Sequence, residues 1–254
     1  MKTTILLTLT TLLAAPLWAA EPAEDLKAAA KKLAGQSYSW TSKSDAAQPA
    51  GGQGRGRGFG GGGDTSGKTE KDGYTLLTFT QGENTSEAVL KGDKVAVKTG
   101  EEWKSGEELT ADADGGGTPN RGRFMAMRVQ RIKLPAAEVQ EMAGSLKDLK
   151  KDGDTYTGAL SADAIKQMFS FGGGRRPGAD NNNAPAGPDT AGIKGTAKFW
   201  VKDGTVSKYE TKVEGKMTFR DNDRDVSRTT TVEIKDIGST KVEVPADAKK
   251  KFKA

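Results

Sequence analysis

The sequence predicts an α+β domain built mainly on an antiparallel sheet. Three observations predict it. Polar and apolar residues alternate in many short runs, tight-turn pairs such as Gly92-Asp93 and Asp203-Gly204 separate several of them, and two central stretches instead repeat apolar residues every three or four positions. Alternation is typical of half-buried strands, and the longer spacing is typical of amphipathic helices. Two-residue turns favour antiparallel hairpins. The expected order is helix, meander, helices and a second meander.

The first half of the mature chain predicts one helix and a meander. Leu26, Ala29 and Leu33 recur at helical spacing within Ala23 to Ala34, and Gly35 ends the helix. Strands are expected at 36–42, 69–80, 87–90, 95–97 and 102–104.

The centre predicts two helices around a short strand. The first helix opens at Leu134-Pro135 and carries apolar residues at three- and four-residue steps, namely Val139, Met142, Leu146 and Leu149. A strand is expected at Thr155 to Leu160. Ser161 caps the second helix, in which Ile165, Met168 and Phe169 share one face with Ala164.

The last part predicts a second meander. Thr196 to Val201 and Thr205 to Val213 pair across Asp203-Gly204, and the strands continue at 216–219, 226–234 and 240–244. The basic tail from Lys249 to Lys253 is expected to fray.

Three Gly/Arg-rich segments interrupt this pattern, at Ala50 to Gly67, Asp112 to Arg123 and Gly172 to Gly192. They contain too few apolar residues to pack, so we interpret them as solvated loop insertions. Their composition is similar to that of RGG segments, which bind nucleic acid. In an exported protein, an anionic glycan or lipid headgroup is the better match, and no nucleic-acid partner is expected.

Residues 1–20 have the organisation of a secretory signal peptide. Lys2 precedes an apolar run from Ile5 to Leu13, Pro16 breaks it, and small residues offer cleavage after Ala19 or Ala20. The run is too short to span a membrane. The prediction is a periplasmic or secreted protein whose residues 21–254 form a single domain, expected to be a monomer.

The composition removes most catalytic chemistry. The chain contains no Cys and no His, so the commonest metal ligands, the usual general base and the Cys and Ser-His nucleophile systems are absent. Hydrolases that use paired carboxylates remain, although no pair stands out. The net charge of +5 is a mild bias. We therefore expect a protein that is not an enzyme and has no cofactor.

Asp221 to Asp225 has the start of a calcium-binding loop. Such a loop needs Gly at its sixth position and Glu at its twelfth, where this chain has Val226 and Val232. We interpret the segment as a polar turn and expect no metal site.

Methionines and aromatic residues are frequent among the positions expected to face inward, such as Trp40, Met142, Met168, Phe169 and Phe199. Flexible thioethers and rings suit a cavity for irregular apolar ligands. Ordinary core filling is the alternative interpretation.

The order of elements resembles the envelope lipoprotein-carrier superfamily, which includes LolA, LolB and the LppX/LprG-type lipid carriers. The matching features are the first helix leading into Tyr38-Ser39-Trp40, the meander from Tyr74 to Trp103, and the hairpin Gly195 to Gly204 answered by Val206 to Tyr209. This resemblance implies a curved antiparallel half-barrel whose concave face is covered by helices, with acyl chains held between them.

On this fold, strand alternation and the helix faces predict which side chains line an apolar cavity: Met142, Leu146, Met168, Phe169, Phe199, Val201 and Tyr209. The function implied is an exported, non-enzymatic carrier or sensor of an apolar or amphiphilic ligand, such as a lipid. Two alternatives remain. One is a structural or adhesive envelope protein that binds anionic glycans through the Gly/Arg loops, and the other is a carboxylate-dependent hydrolase.

Overall fold

The structure is a computed structural model of the chain, and it describes residues 21–46, 63–71, 73–111, 121–169, 188–219 and 222–252. The predicted signal peptide therefore lies outside the described residues. None of the described helices is both long enough and apolar enough to cross a membrane.

Within these residues, eleven strands form one sheet in which every neighbouring pair is antiparallel. The strands are β1 (Tyr38–Ala46), β2 (Asp64–Thr69), β3 (Thr75–Gln81), β4 (Asn84–Lys91), β5 (Lys94–Thr99), β6 (Glu102–Ser105), β7 (Leu146–Asp152), β8 (Thr155–Leu160), β9 (Asp189–Lys202), β10 (Thr205–Phe219) and β11 (Asn222–Lys235). Their order in the sheet is β6-β5-β4-β3-β2-β1-β11-β10-β9-β8-β7. The two predicted meanders thus join through β1 and β11, and the sheet is open, with β6 and β7 at its edges.

The helices described are α1 (Pro22–Ala34), α2 (Gly106–Ala111), α3 (Arg121–Gln130), α4 (Pro135–Ser145), α5 (Ala162–Phe169) and α6 (Ala246–Lys250). Helix α1 packs against α4 and β10, α3 against β5 and β4, and α5 against β9. The predicted α+β half-barrel, with helices over one face of a curved antiparallel sheet, is confirmed.

One row of paired residues shows how alternation builds the concave face. Ser42, Val232, Tyr209, Phe199 and Tyr156 are successive partners across β1, β11, β10, β9 and β8. All but Ser42 are buried. Because side chains alternate along each strand, the pairing register sends the apolar set to the helix-covered face and the Lys, Glu and Thr set to the other.

The central helix is shorter than its apolar spacing predicts. Helix α4 ends at Ser145, and Leu146 opens β7 while its N–H bonds to the carbonyl of Met142. The ladder between β7 and β8 then shifts register between Lys147 and Lys150. This irregularity brings both Leu146 and Leu149 against the core. A bulged strand therefore reproduces the three-residue spacing of a helix.

The described parts of the Gly/Arg-rich segments extend the regular elements beyond their predicted ends. Strand β2 begins at Asp64, α3 at Arg121 and β9 at Asp189, each inside a segment interpreted as loop. The remainder of these segments, residues 50–62, 112–120 and 172–187, lies outside the described residues. Gly67 of β2 has no side chain, which leaves space for the ring of Trp40 on the neighbouring strand β1.

The C-terminal segment covers the opposite face of the sheet at β3 to β6. Val89, Ala96 and Trp103 form a second buried cluster with Val244 and Ala248 of this segment. Thr240 to Val244 was predicted to be a strand, but it joins no ladder of the described sheet and lies over its face instead. The tail was expected to fray, and this expectation is wrong up to Phe252. The ring of Phe252 packs against this cluster and meets the ring of Tyr74 edge to face, with ring centroids 5.4 Å apart.

Candidate ligand-binding cavity

A cavity of about 770 Å³ lies between the concave face and helices α3, α4 and α5. Its floor is formed by side chains of β1, β10 and β11, namely Trp40, Ser42, Tyr209 and Val232. Its apolar walls come from the helices and their connections, namely Ile132, Met142, Leu146, Leu160, Ala164 and Met168. Apolar side chains from the sheet and from the helices therefore meet in this cavity, beside polar and charged ones.

Helix α5 shows how the sequence leaves this space open. Ser161 caps the helix by accepting the N–H of Ala164 on its hydroxyl at 3.2 Å. Ile165 and Phe169, one turn apart, are buried in the core. Ala164 and Met168, also one turn apart, line the cavity on the neighbouring face and are only partly buried. One short helix thus fills the core with one face and borders the cavity with the other.

The structure brings together part of the predicted site. Met142, Leu146, Met168 and Tyr209 line the cavity. Phe199 does not border it: its ring lies beside Tyr209, with ring centroids 6.1 Å apart, in the fully buried core. Val201 lies farther along β9, in a shallow cleft that it shares with Asp25 and Lys32 of α1. Phe169 is buried behind Met168, with the guanidinium of Arg228 5.5 Å from its ring centre.

The polar residues of the cavity were missed by the sequence argument. Glu138 of α4 accepts a hydrogen bond from the hydroxyl of Tyr209 at 2.5 Å. Desolvation raises the pKa of Glu138 above its ordinary value of 4.5, although the bond from Tyr209 partly offsets it. Burial also holds the pKa of Tyr209 well above its ordinary value, so the phenol remains the donor at neutral pH. The helical spacing of Glu138 and Met142, four residues apart, is the signal that could have placed this carboxyl group at the cavity.

We expect this buried carboxyl group to make stability depend on pH. A carboxyl group whose folded pKa is raised favours the folded state most below its unfolded pKa, and that contribution is lost as pH rises through the folded pKa. Replacing Glu138 by Gln keeps the bond from Tyr209 but removes the titration. Denaturant midpoints measured at about pH 4 and about pH 8 should show wild type losing stability relative to Glu138→Gln over that interval. The raised pKa of Glu138 would be contradicted if the stability difference between wild type and Glu138→Gln stayed constant with pH, or if it grew in favour of wild type as pH rose.

Cationic side chains also line the cavity, together with the acidic Glu138, Glu141 and Asp163. Arg128, Arg131, Lys133 and Lys147 all contribute to its lining. Lys133 forms an ion pair with Glu141 at 2.5 Å. The guanidinium of Arg128 lies 5.0 Å from the ring centre of Phe79, and desolvation lowers its pKa. The site therefore combines apolar side chains with four basic and three acidic ones.

No protein-family model and no curated protein matches the chain. In fold, the chain is similar to the lipoprotein LppX of Mycobacterium tuberculosis, with a TM-score of 0.45 and 10% sequence identity, covering 88% of this chain and 98% of that one. It is also similar to LprF of Mycobacterium bovis, with a TM-score of 0.40 and 9% identity, covering 90% and 97% of the two chains. A chain of the Pseudomonas aeruginosa MucA/MucB complex matches with a TM-score of 0.28, 10% identity, and coverage of 91% and 96%. The distant resemblance to LppX-type proteins stated from the sequence is thus found again among solved structures.

Proposed function

We propose that this chain is an exported, non-enzymatic carrier or sensor that holds an apolar or amphiphilic ligand in the cavity beneath α4 and α5. The observation that supports the proposal most is the exposure of Met168 and Ala164 to a space of about 770 Å³ while their neighbours on α5 pack the core. That volume falls within the range of roughly 300–1,000 Å³ in which small molecules bind. Apolar walls favour an acyl or similar chain, because its transfer from water contributes most of the binding free energy.

The polar groups of the cavity support binding rather than catalysis. Glu138 is engaged by Tyr209, and Glu141 is engaged by Lys133. A hydrolase of the carboxylate type needs one acid and one base that face a shared substrate bond. Glu138 and Glu141 are thus held in separate structural contacts, which favours a binding protein over the hydrolase alternative; the third carboxylate of the lining, Asp163, lies on the first turn of α5. The adhesive alternative depends on the Gly/Arg loops, whose central parts lie outside the described residues.

Filling the cavity should abolish ligand binding without unfolding the protein. Ala164→Trp places an indole in the space between α5 and Trp40, whereas Ala162→Trp, on the exposed first turn of the same helix, leaves that space open. Titration with a fluorescent fatty-acid probe should give saturable binding by wild type and by Ala162→Trp. We expect Ala164→Trp to bind the probe at least about tenfold more weakly, the equivalent of about 1.4 kcal/mol.

Circular dichroism and thermal melting provide the control for folding in both tryptophan variants. Equal probe binding by the two folded variants would place the ligand elsewhere and contradict the proposed site. Failure of wild type to bind any apolar probe would favour the structural alternative.

A further inference from the structure

Helix α3 exposes two large apolar side chains on the face opposite its buried residues. Ala126 and Val129 are buried, and they fix the helix against β5 and β4. On the outer side, Phe124 is 70% exposed and Met127 is 42% exposed. Among the described residues, these are the large apolar side chains most open to solvent. Large exposed apolar side chains on a well-packed helix indicate a surface that contacts something apolar.

The same outer face is cationic. Met127 and Arg128 lie three and four residues after Phe124, and Arg131 lies four and three residues after them, so the four residues form one stripe along α3 and its end. The sequence from Arg121 to Gln130 contains no Asp or Glu. Among the described residues, Arg131 has no carboxylate within ion-pair distance, whereas sheet lysines such as Lys212 pair with neighbouring acids.

The stripe also ends at the cavity. Arg128 and Arg131 line the cavity, whereas Phe124 and Met127 lie outside its lining and are exposed. A ligand that moved along this stripe would pass from the ring of Phe124 and the thioether of Met127 to the apolar walls of the cavity. The stripe and the cavity are therefore one continuous surface.

We propose that the outer face of α3 docks the protein on an anionic membrane surface, with the cavity mouth turned toward the lipid. Exposed Phe and Met side chains beside arginines are the pattern of a helix that lies in the membrane interface, where the apolar groups enter the headgroup region and the cations attract anionic lipids. The charge of the stripe selects an anionic surface over a neutral one. This inference rests on the proposed function, because docking here would let an amphiphile pass between the bilayer and the cavity.

Co-sedimentation with lipid vesicles tests the docking face directly. Purified protein is mixed with vesicles of phosphatidylcholine alone or of phosphatidylcholine with phosphatidylglycerol. We expect binding to the anionic vesicles only, with loss of that binding in Phe124→Asp and about fivefold weaker binding in Arg131→Gln. Arg224→Gln serves as the matched control, because this exposed arginine lies on β11, which four strands separate from β5 in the sheet order.

Probe binding separates this proposal from the function on which it rests. Phe124 does not line the cavity, so Phe124→Asp should bind the fluorescent fatty acid as wild type does. The docking proposal would be overturned if Phe124→Asp bound vesicles as wild type does, or if Arg224→Gln lost as much binding as Phe124→Asp. It would also be overturned if wild type bound no vesicles, and the stripe would then be left to a protein partner. If wild type bound the anionic vesicles but not the fluorescent fatty acid, the carrier function would be overturned instead.

Discussion

Gly67→Ala is expected to lower the free energy of unfolding by about 3 kcal/mol, measured by urea denaturation. Gly67 lies on β2 opposite Trp40 of β1. A Cβ atom at this position would overlap the indole ring of Trp40. The ring would have to leave its buried position, where its Nε1–H donates to the hydroxyl of Thr69 at 3.4 Å. Since Trp40 also lines the cavity, the displaced ring should reduce binding of an apolar probe as well.

Gly144→Ala is the matched control for this substitution. Gly144 lies within α4, and the nearest atom to an added Cβ is the Cε of Lys27 at 3.8 Å. Alanine has a higher helix propensity than glycine, so this change should stabilise the protein by about 0.5 kcal/mol. Opposite signs for two Gly-to-Ala changes would show that the cost at Gly67 comes from the ring. Equal midpoints for Gly67→Ala and wild type would contradict the packing described here.

Aspartate substitutions at two adjacent positions of α5 should have different consequences. Phe169 is 4% exposed and does not border the cavity, so Phe169→Asp removes a buried ring from the core and should cost at least about 3 kcal/mol. Met168 is partly exposed and borders the cavity, so a carboxylate there can remain hydrated. Met168→Asp should stay folded and lose binding of a fluorescent fatty acid.

Thermal melting and probe titration on both variants measure this difference. Similar large losses of stability in the two variants would mean that the space beside Met168 is a closed core. Full probe binding by folded Met168→Asp would mean that the cavity is not where the ligand lies.

The pairing of strands that a tight turn connects could be predicted from the sequence. Gly92-Asp93 and Asp203-Gly204 connect β4 to β5 and β9 to β10 as expected, because glycine adopts the left-handed backbone that each turn needs. The pairing of β1 with β11 could not be predicted in this way. Almost 190 residues separate the two partners Ser42 and Val232, and no local signal specifies such a contact.

Two local errors have physical causes. Leu146 and Leu149 are spaced like residues of a helix, but a register shift in β7 gives a strand the same spacing. Gly67 appeared to belong to a Gly-rich loop, whereas its missing side chain is what allows Trp40 to pack over β2. In both cases, pairing with a neighbouring strand decided between two structures that the local sequence allows.

The candidate site was predictable where periodicity determines which way a side chain faces. Met142 and Met168 were selected by helical spacing, and Tyr209 by strand alternation, and all three line the cavity. Phe199 and Tyr209 follow the same alternation, yet only Tyr209 reaches the cavity. Alternation determines the face of the sheet but not which part of that face the helices leave open.

Mass spectrometry of organic extracts from natively purified protein tests the central claim most directly. If the cavity holds an amphiphile, wild type should release an apolar or amphiphilic molecule in an amount approaching one per protein chain. Folded Met168→Asp, purified in parallel, should release much less. An extract of wild type that contains no such molecule, or equal amounts from the two proteins, would contradict the account of this fold as a carrier.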